Sequence, residues 1–271
     1  MADKPAEHYA VVTGASQGLG KSFALELARR GINTILIALP DENVEEVVDQ
    51  CLQLGVKSVA HETDLLKKEN ILEMTAWVNK HYKVNILINN AGLGASHSFV
   101  DSDLNYIDAL IQLNITATSL ITHQLLPNLM AHKNAYILNV SSMASFSPFG
   151  YKAVYSASKR YIQHFSKALQ QELKNTGVSI SVVHPGPMKT NVEVIERIKK
   201  HNFFGRFGLE SPDRVAHSSI KRMLRKQNSI LIGFANKVNR LLLTYVPARI
   251  RLPILAKAVK KELESKSKAK E

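Results

Sequence analysis

Apolar residues fall along the first two thirds of the chain in two alternating patterns. Short apolar runs bounded by turn residues predict buried strands at residues 8–13, Asn33–Leu39, Ser58–Thr63, Val84–Ile88, Ala135–Val140 and Val178–His184. Between them, apolar residues recur at three- and four-residue spacing. That period predicts helices at Lys21–Arg30, at Glu42–Leu54, from Asp64 to about Lys80, from about Leu104 to Ala131, and at Lys152–Thr176. Gly31, Gly55 and Gly177 stand where a helix end favours a left-handed residue. Strands that alternate with helices of this length run parallel, joined by right-handed crossovers. The fold class is therefore α/β, a single-domain, doubly wound parallel sheet.

Past Ser229 the pattern changes. Ile230–Gly233 reads as a seventh strand. The runs 234–243 and Ala248–Leu263 read as basic amphipathic helices, the second broken by Pro253, so the domain of residues 1–263 carries a helical, basic C-terminal extension. Residues 264–271 are charged and low in complexity and read as a disordered tail.

Charge separates the same regions. The whole chain carries a net charge of +12 over 271 residues, yet Met1 to Glu196 holds 16 Lys and Arg against 18 Asp and Glu. Arg197 to Glu271 holds 19 against 5. An anionic neighbour of the C-terminal quarter is implied. Packing on the core or a subunit contact is the favoured reading of that quarter, and peripheral contact with an anionic membrane is the alternative. Nucleic acid is set aside, because no stretch resembles a recognition fold. The polar N-terminus has no apolar signal core, and no window of about 18 apolar residues predicts a membrane span. One cysteine, Cys51, leaves no internal disulfide and no multi-cysteine metal site, so no metal is expected and a reducing, cytoplasmic setting is.

Two short motifs carry chemistry. Gly14-Ala15-Ser16-Gln17-Gly18-Leu19-Gly20 lies between a strand and a helix, where backbone can approach a pyrophosphate and helix N–H groups can point at it. Its spacing is G-x-x-x-G-x-G and departs from the dinucleotide fingerprint G-x-G-x-x-G. Tyr155 and Lys159 are four residues apart on a helix, hence on one face. A cation there favours the phenolate, lowering the tyrosine pKa and making the pair a tuned acid/base.

With these motifs, Asn89-Asn90-Ala91-Gly92 and Ser142 in this order, the chain resembles the short-chain dehydrogenase/reductase family from about Tyr9 to Asn191. The resemblance implies a Rossmann-like sheet and an oxidoreductase that moves a hydride between nicotinamide and a carbonyl/alcohol pair. It implies catalytic roles for Asn114, Ser142, Tyr155 and Lys159. Tyr155 donates the proton, Lys159 tunes it and holds the ribose, Ser142 binds the carbonyl oxygen, and Asn114 positions a water that links Lys159 to solvent. It implies cofactor contacts at Gly14, Ser16, Gln17, Gly18, Leu19, Gly20, Leu39, Asp64, Leu65, Asn90, Ala91, Gly92, Tyr155, Lys159, Pro185, Gly186 and Thr190, with Asp64 on the adenine side and Thr190 at the nicotinamide. It also implies a homo-oligomer, dimer or tetramer.

Cofactor choice is weakly marked. Ala38 and Leu39 stand where an acid would bind a ribose 2′-hydroxyl or an arginine a 2′-phosphate. Lack of the acid leans to NADP(H). Asp41 and Glu42 nearby argue for NAD(H). The substrate loops implied by the resemblance run from Met143 to Tyr151 and from Met188 to about Gly208, with Phe203, Phe204 and Phe207. Their apolar, aromatic character suits a hydrophobic substrate such as a 3-oxoacyl chain or a steroid-like ring system. A nicotinamide-binding sensor or interaction module without turnover is the alternative function, disfavoured by the intact set Asn114, Ser142, Tyr155 and Lys159. A further alternative is a peripheral membrane-binding protein on the same scaffold.

Overall fold

Seven parallel strands form one sheet in the order β3-β2-β1-β4-β5-β6-β7. The structure, a computed structural model, describes residues 7–94, 96–188 and 209–267. The strands are β1 (Tyr9–Thr13), β2 (Asn33–Ala38), β3 (Ser58–Glu62), β4 (Val84–Asn89), β5 (Ala135–Val140), β6 (Val178–Val183) and β7 (Ser229–Ile230). Helices α1 (Gly18–Arg29), α2 (Val44–Gln53), α3 (Lys68–His81), α4 (Leu104–Ile111), α5 (Thr118–Met130), α6 (Ala153–Glu172), α7 (Pro212–Met223), α8 (Phe234–Tyr245) and α9 (Ala248–Ser267) complete the described fold.

Side chains on successive strand residues point to opposite faces, so each central strand feeds two cores. Ala10 and Val12 of β1 join Leu36 of β2, Phe23 and Leu27 of α1 and Ile220 of α7 on one side. Val11 joins Ile35, Met74 of α3, Ile121 and Leu125 of α5 and Ile180 of β6 on the other. Strands buried on both faces explain the unbroken apolar runs of the sequence. The chain leaves β1 toward β2 and β3, then crosses back to lay β4 on the other side of β1. The C-terminal ends of β1 and β4 thus diverge at a topological switch point, where a doubly wound sheet opens a crevice.

Three elements differ from the sequence-based expectation. The long helix expected from Leu104 to Ala131 is interrupted by a π-helical turn at Gln112–Ala117, which separates α4 from α5 and contains Asn114. The seventh strand is Ser229–Ile230, paired with Val182 and Val183, and the chain leaves it before Gly233. Pro253 does not break the last helix. Its missing N–H would have met the carbonyl of Arg249, an exposed residue in the first turn, where a lost helix bond costs least. The same helix runs past Leu263 to Ser267, so residues 264–267 are helical where a disordered tail was expected, and 268–271 lie outside the described residues.

Candidate active site

The glycine turn occupies the switch point. Gly14 has φ +64° and Gly18 φ +55°, left-handed values that bend the chain from β1 into α1. Gly20 packs on the turn so closely that a Cβ there would lie 1.8 Å from the Gly14 carbonyl oxygen. The first turn of α1 has no acidic residue, and Gln17 at its N-cap makes no side-chain capping bond. Its N–H groups therefore present positive potential to an anion, which fits a pyrophosphate.

Asn89 and Asn90 tie β4 to its neighbours. The Asn90 amide donates to the carbonyls of Thr13 (2.9 Å) and Gly14 (3.1 Å), while its N–H and that of Ala91 both donate to Thr13 Oγ1 at 3.0 Å. Asn89 donates to Thr122 Oγ1 (3.0 Å) and Asn139 Oδ1 (2.8 Å), and Asn139 donates to Ser166 Oγ at 2.8 Å. This buried chain links α5, β4, β5 and α6, so the strand ends that carry the site are tied together by side-chain hydrogen bonds, although Asn89 Oδ1 itself is buried without a partner among the described residues.

The Tyr155 helix is held against β5. Ser141 Oγ donates to the Lys159 carbonyl at 2.8 Å, and Lys159 Nζ donates to the Val140 carbonyl at 3.1 Å. Ser142 caps a short 3-10 turn, Met143–Phe146, by accepting the Ala144 N–H at 3.1 Å. The Ser142 hydroxyl also faces the Tyr155 phenol and favours its phenolate. Asn114, fully buried in the π-turn, donates to Leu93 O (2.9 Å) and Ser158 Oγ (3.0 Å) and accepts from Leu93 N–H (2.8 Å). Both its N–H donors are thereby engaged. A Cβ on Gly92 would lie 2.9 Å from Asn114 Oδ1 and 3.3 Å from Lys159 Nζ, and one on Gly94 would lie 2.8 Å from the Tyr155 ring. The loop after β4 thus lies directly over the tyrosine and lysine.

Electrostatics at the pair run against the simple expectation of a cation lowering the tyrosine pKa. Burial pushes Tyr155 up, with the Ser142 hydroxyl pulling it back only in part. Burial lowers Lys159 to about 8. The lysine ammonium lies 5.9 Å from the centre of the tyrosine ring, over its face. Desolvation therefore outweighs mutual stabilisation, and each group is drawn toward its neutral form.

The other expected contacts divide. Ser16 donates to Glu42 Oε2 at 2.6 Å, so an acid reaches into the glycine turn from the loop after β2. Leu39 is exposed and Ala38 buried at the end of that strand. Asp64 accepts the Leu66 N–H at 3.0 Å, a turn-forming contact, and the side chains of Leu19 and Leu65 pack into the core. Pro185 accepts the Met143 N–H at 3.0 Å, which fastens the loop after β6 to that after β5, with Gly186 following half-buried. Thr190, Phe203, Phe204 and Phe207 lie outside the described residues.

Two features escaped the sequence reading. A cleft beside Tyr155 is lined by His97, Phe99, Tyr106, Ile107 and Tyr151, from the loop after β4, helix α4 and the loop before α6. The His97 N–H donates to the Tyr151 carbonyl at 2.8 Å, and Tyr151 itself is left-handed at φ +60°. Of this wall, only Tyr151 falls in a substrate loop expected from the sequence. His184 is the second feature. It sits under the 3-10 turn, with Nδ1 3.1 Å from Ser145 Oγ and its ring against Phe146, and burial holds its pKa down at about 3. A neutral imidazole thus supports the turn that carries Ser142.

Comparison with known proteins places this geometry. A family model described as short chain dehydrogenase matches residues 8–200. The chain is 32% identical over 262 residues to human 17-beta-hydroxysteroid dehydrogenase type 3, covering 90% of this chain and 83% of that one. It is 33% identical over 194 residues to a very-long-chain 3-oxoacyl-CoA reductase of Anas platyrhynchos, covering 70% of this chain and 62% of that one. Among solved structures, a metagenomic short-chain oxidoreductase in complex with NADP is similar, with a TM-score of 0.69 and 26% identity over 84% of this chain and 97% of that one.

Proposed function

The chain belongs to the short-chain dehydrogenase family and is an NAD(P)-dependent oxidoreductase, and we propose that it interconverts a hydrophobic ketone and its secondary alcohol, a 3-oxoacyl or steroid-like compound. The observation that carries this reading is the position of Tyr155, which opens onto an aromatic and apolar cleft while Lys159 of the same helix meets Gly92, next to the Ala91 that packs on Gly14 of the glycine turn.

Bound nicotinamide supplies the hydride that adds to the carbonyl carbon. Tyr155 gives the carbonyl oxygen its proton, and the raised pKa keeps the phenol in the protonated form that reduction needs. Ser142, held by the Ala144 N–H, donates to the same oxygen and fixes it against the phenol. Lys159 holds the nicotinamide ribose and, when protonated, stabilises the phenolate left behind. Asn114 acts as a positioning residue that keeps the Leu93 backbone over both. The glycine turn and the uncapped start of α1 hold the pyrophosphate.

NADP(H) is the favoured cofactor, because Ala38 leaves no acid at the strand end to repel a 2′-phosphate, and a similar structure carries NADP. NAD(H) is the second reading, favoured by the Glu42 carboxylate bonded to Ser16. A panel of aliphatic, acyl and steroid ketones, followed by NADPH and NADH absorbance, tests both. Turnover confined to small hydrophilic carbonyls would overturn the substrate class.

A further inference from the structure

Helices α8 and α9 leave their apolar side chains in solvent. Phe234 is 80% exposed, Leu241 55% and Tyr245 77% on α8, and Ile250 is 56% and Ile254 59% exposed on α9. On α8 these residues, with Val238 and Leu242, fall within about 100° of the helix circumference, because positions 234, 238, 241, 242 and 245 follow the helical repeat. On α9, Ile250, Ile254 and Ala258 make a similar stripe, and the opposite side packs inward through Val259. The inward sides are anchored. Asn236 of α8 donates to the Ile232 carbonyl at 2.9 Å, and Arg240 stacks 5.3 Å from the Phe146 ring centre. Each helix therefore has a fixed protein side and an open apolar side.

The open side is cationic. Between Phe234 and Lys261 the chain carries seven Lys and Arg and no Asp or Glu; Arg240 and Arg251 turn toward the protein, Lys237, Arg249, Lys257, Lys260 and Lys261 are exposed, and farther along α9 Glu264 is an exposed acid. Lys257 and Lys261 lie on the same exposed stripe of α9 as the isoleucines, with Arg249 and Lys260 beside it. An exposed apolar patch of this kind marks an interaction surface. A second copy of the chain is a poor occupant, since a two-fold contact would lay this cationic patch on itself. An anionic, apolar surface meets both features. No helix among the described residues is long and apolar enough to cross a membrane, so the fit is to a bilayer surface rather than to its interior.

We infer that α8 and α9 together form a platform that docks on an anionic lipid bilayer, with the apolar stripes at the headgroup boundary and the basic side chains among the lipid phosphates. The platform adjoins the chemistry. Arg251 donates to Ser147 Oγ at 3.1 Å, Ala256 lies where a Cβ on Gly150 would touch it at 2.9 Å, and Lys152 at the cleft wall stands 4.0 Å from Glu262. All three contacts fall on the loop that joins Ser142 to the Tyr155 helix. Docking thus sets the mouth of the cleft at the lipid surface, where a hydrophobic substrate is concentrated.

Vesicle co-sedimentation tests this without any turnover. The 271-residue protein is mixed with phosphatidylcholine vesicles and with vesicles that also contain phosphatidylglycerol, at about 0.1 M and about 1 M salt, where the Debye length falls from about 10 Å to about 3 Å. Binding to the anionic vesicles at least about tenfold tighter than to neutral ones, lost at high salt, is the expected result. Lys257→Glu/Lys260→Glu/Lys261→Glu should abolish the anionic preference, and Leu241→Asn/Ile254→Asn should weaken binding to anionic vesicles, both with unchanged melting temperature because the sites are exposed. Absence of binding to anionic vesicles at low salt overturns the inference. So does a dimer in sedimentation equilibrium that Leu241→Asn/Ile254→Asn dissociates, which would assign the surface to a second copy.

Discussion

Asn114 and the peptide groups of Leu93 exchange two hydrogen bonds, Leu93 N–H to Oδ1 at 2.8 Å and Nδ2 to Leu93 O at 2.9 Å. The side-chain amide mimics a neighbouring strand, and it does so from a π-helical turn whose extra residue rotates the amide toward the loop over Lys159. Asn114→Ala would strand both Leu93 groups and deprive Ser158 Oγ of a donor. A loss of about 2–3 kcal/mol in urea unfolding with unchanged m-value is expected. Turnover should fall as well, since the loop packs on Tyr155. Unchanged stability would show that water replaces the amide.

On the proposed mechanism, Tyr155→Phe removes the proton donor and little else. The ring remains packed against Gly94, so cofactor affinity measured by fluorescence titration should be unchanged. The rate constant kcat should fall by about 10²–10⁴-fold, the range for loss of a positioned acid. Turnover within a few-fold of the wild type, on the order of 1 kcal/mol of barrier, would remove Tyr155 from the chemistry.

Lys159 makes the stability of the protein without cofactor depend on alkaline pH. Its folded pKa, about 8, lies below the 10.5 of the unfolded chain. Between these values the unfolded state binds more protons, so stability should rise with pH over that window. Below pH 8 the buried ammonium costs the fold about 3 kcal/mol, the free energy that corresponds to a pKa lowered from 10.5 to about 8. The difference between wild type and Lys159→Met isolates this from other groups, including Cys51, whose thiol burial raises and whose contribution has the opposite sign. A pH-independent difference in urea midpoint would contradict the assignment. Lys159→Met should also weaken cofactor binding, because the ribose loses its proposed donor.

Cofactor preference should respond to two positions in opposite directions. Ala38→Asp supplies a 2′-hydroxyl partner and repels a 2′-phosphate, which favours NAD(H). Glu42→Gln removes the carboxylate on Ser16 and should favour NADP(H). Each shift is expected near tenfold in the ratio of kcat/KM values, about 1.4 kcal/mol. A wild-type preference for NAD(H) above about tenfold would reverse the choice of cofactor and make Glu42 the dominant selector.

Sequence by itself determined the order of strands and helices in the first two thirds of the chain, because a strand buried on both faces must be apolar throughout and a packed helix must be apolar on one side. It also determined that Tyr155 and Lys159 share a helix face and that the glycine turn joins β1 to α1, since both relations are local. Relations between distant segments were decided only by tertiary structure. Nothing local to Asn114 shows that its amide meets Leu93 or that the helix widens into a π-turn there. The Glu42–Ser16 bond depends on the left-handed residues Asp41 and Asn43, which turn the chain back toward the glycine loop. The pKa direction at Tyr155 and Lys159 follows from how far the surrounding segments exclude water from both, which no spacing reveals. The open apolar faces of α8 and α9 belong here too. An amphipathic period marks a face that needs an apolar neighbour, and the fold, by turning the opposite sides inward, left that face exposed.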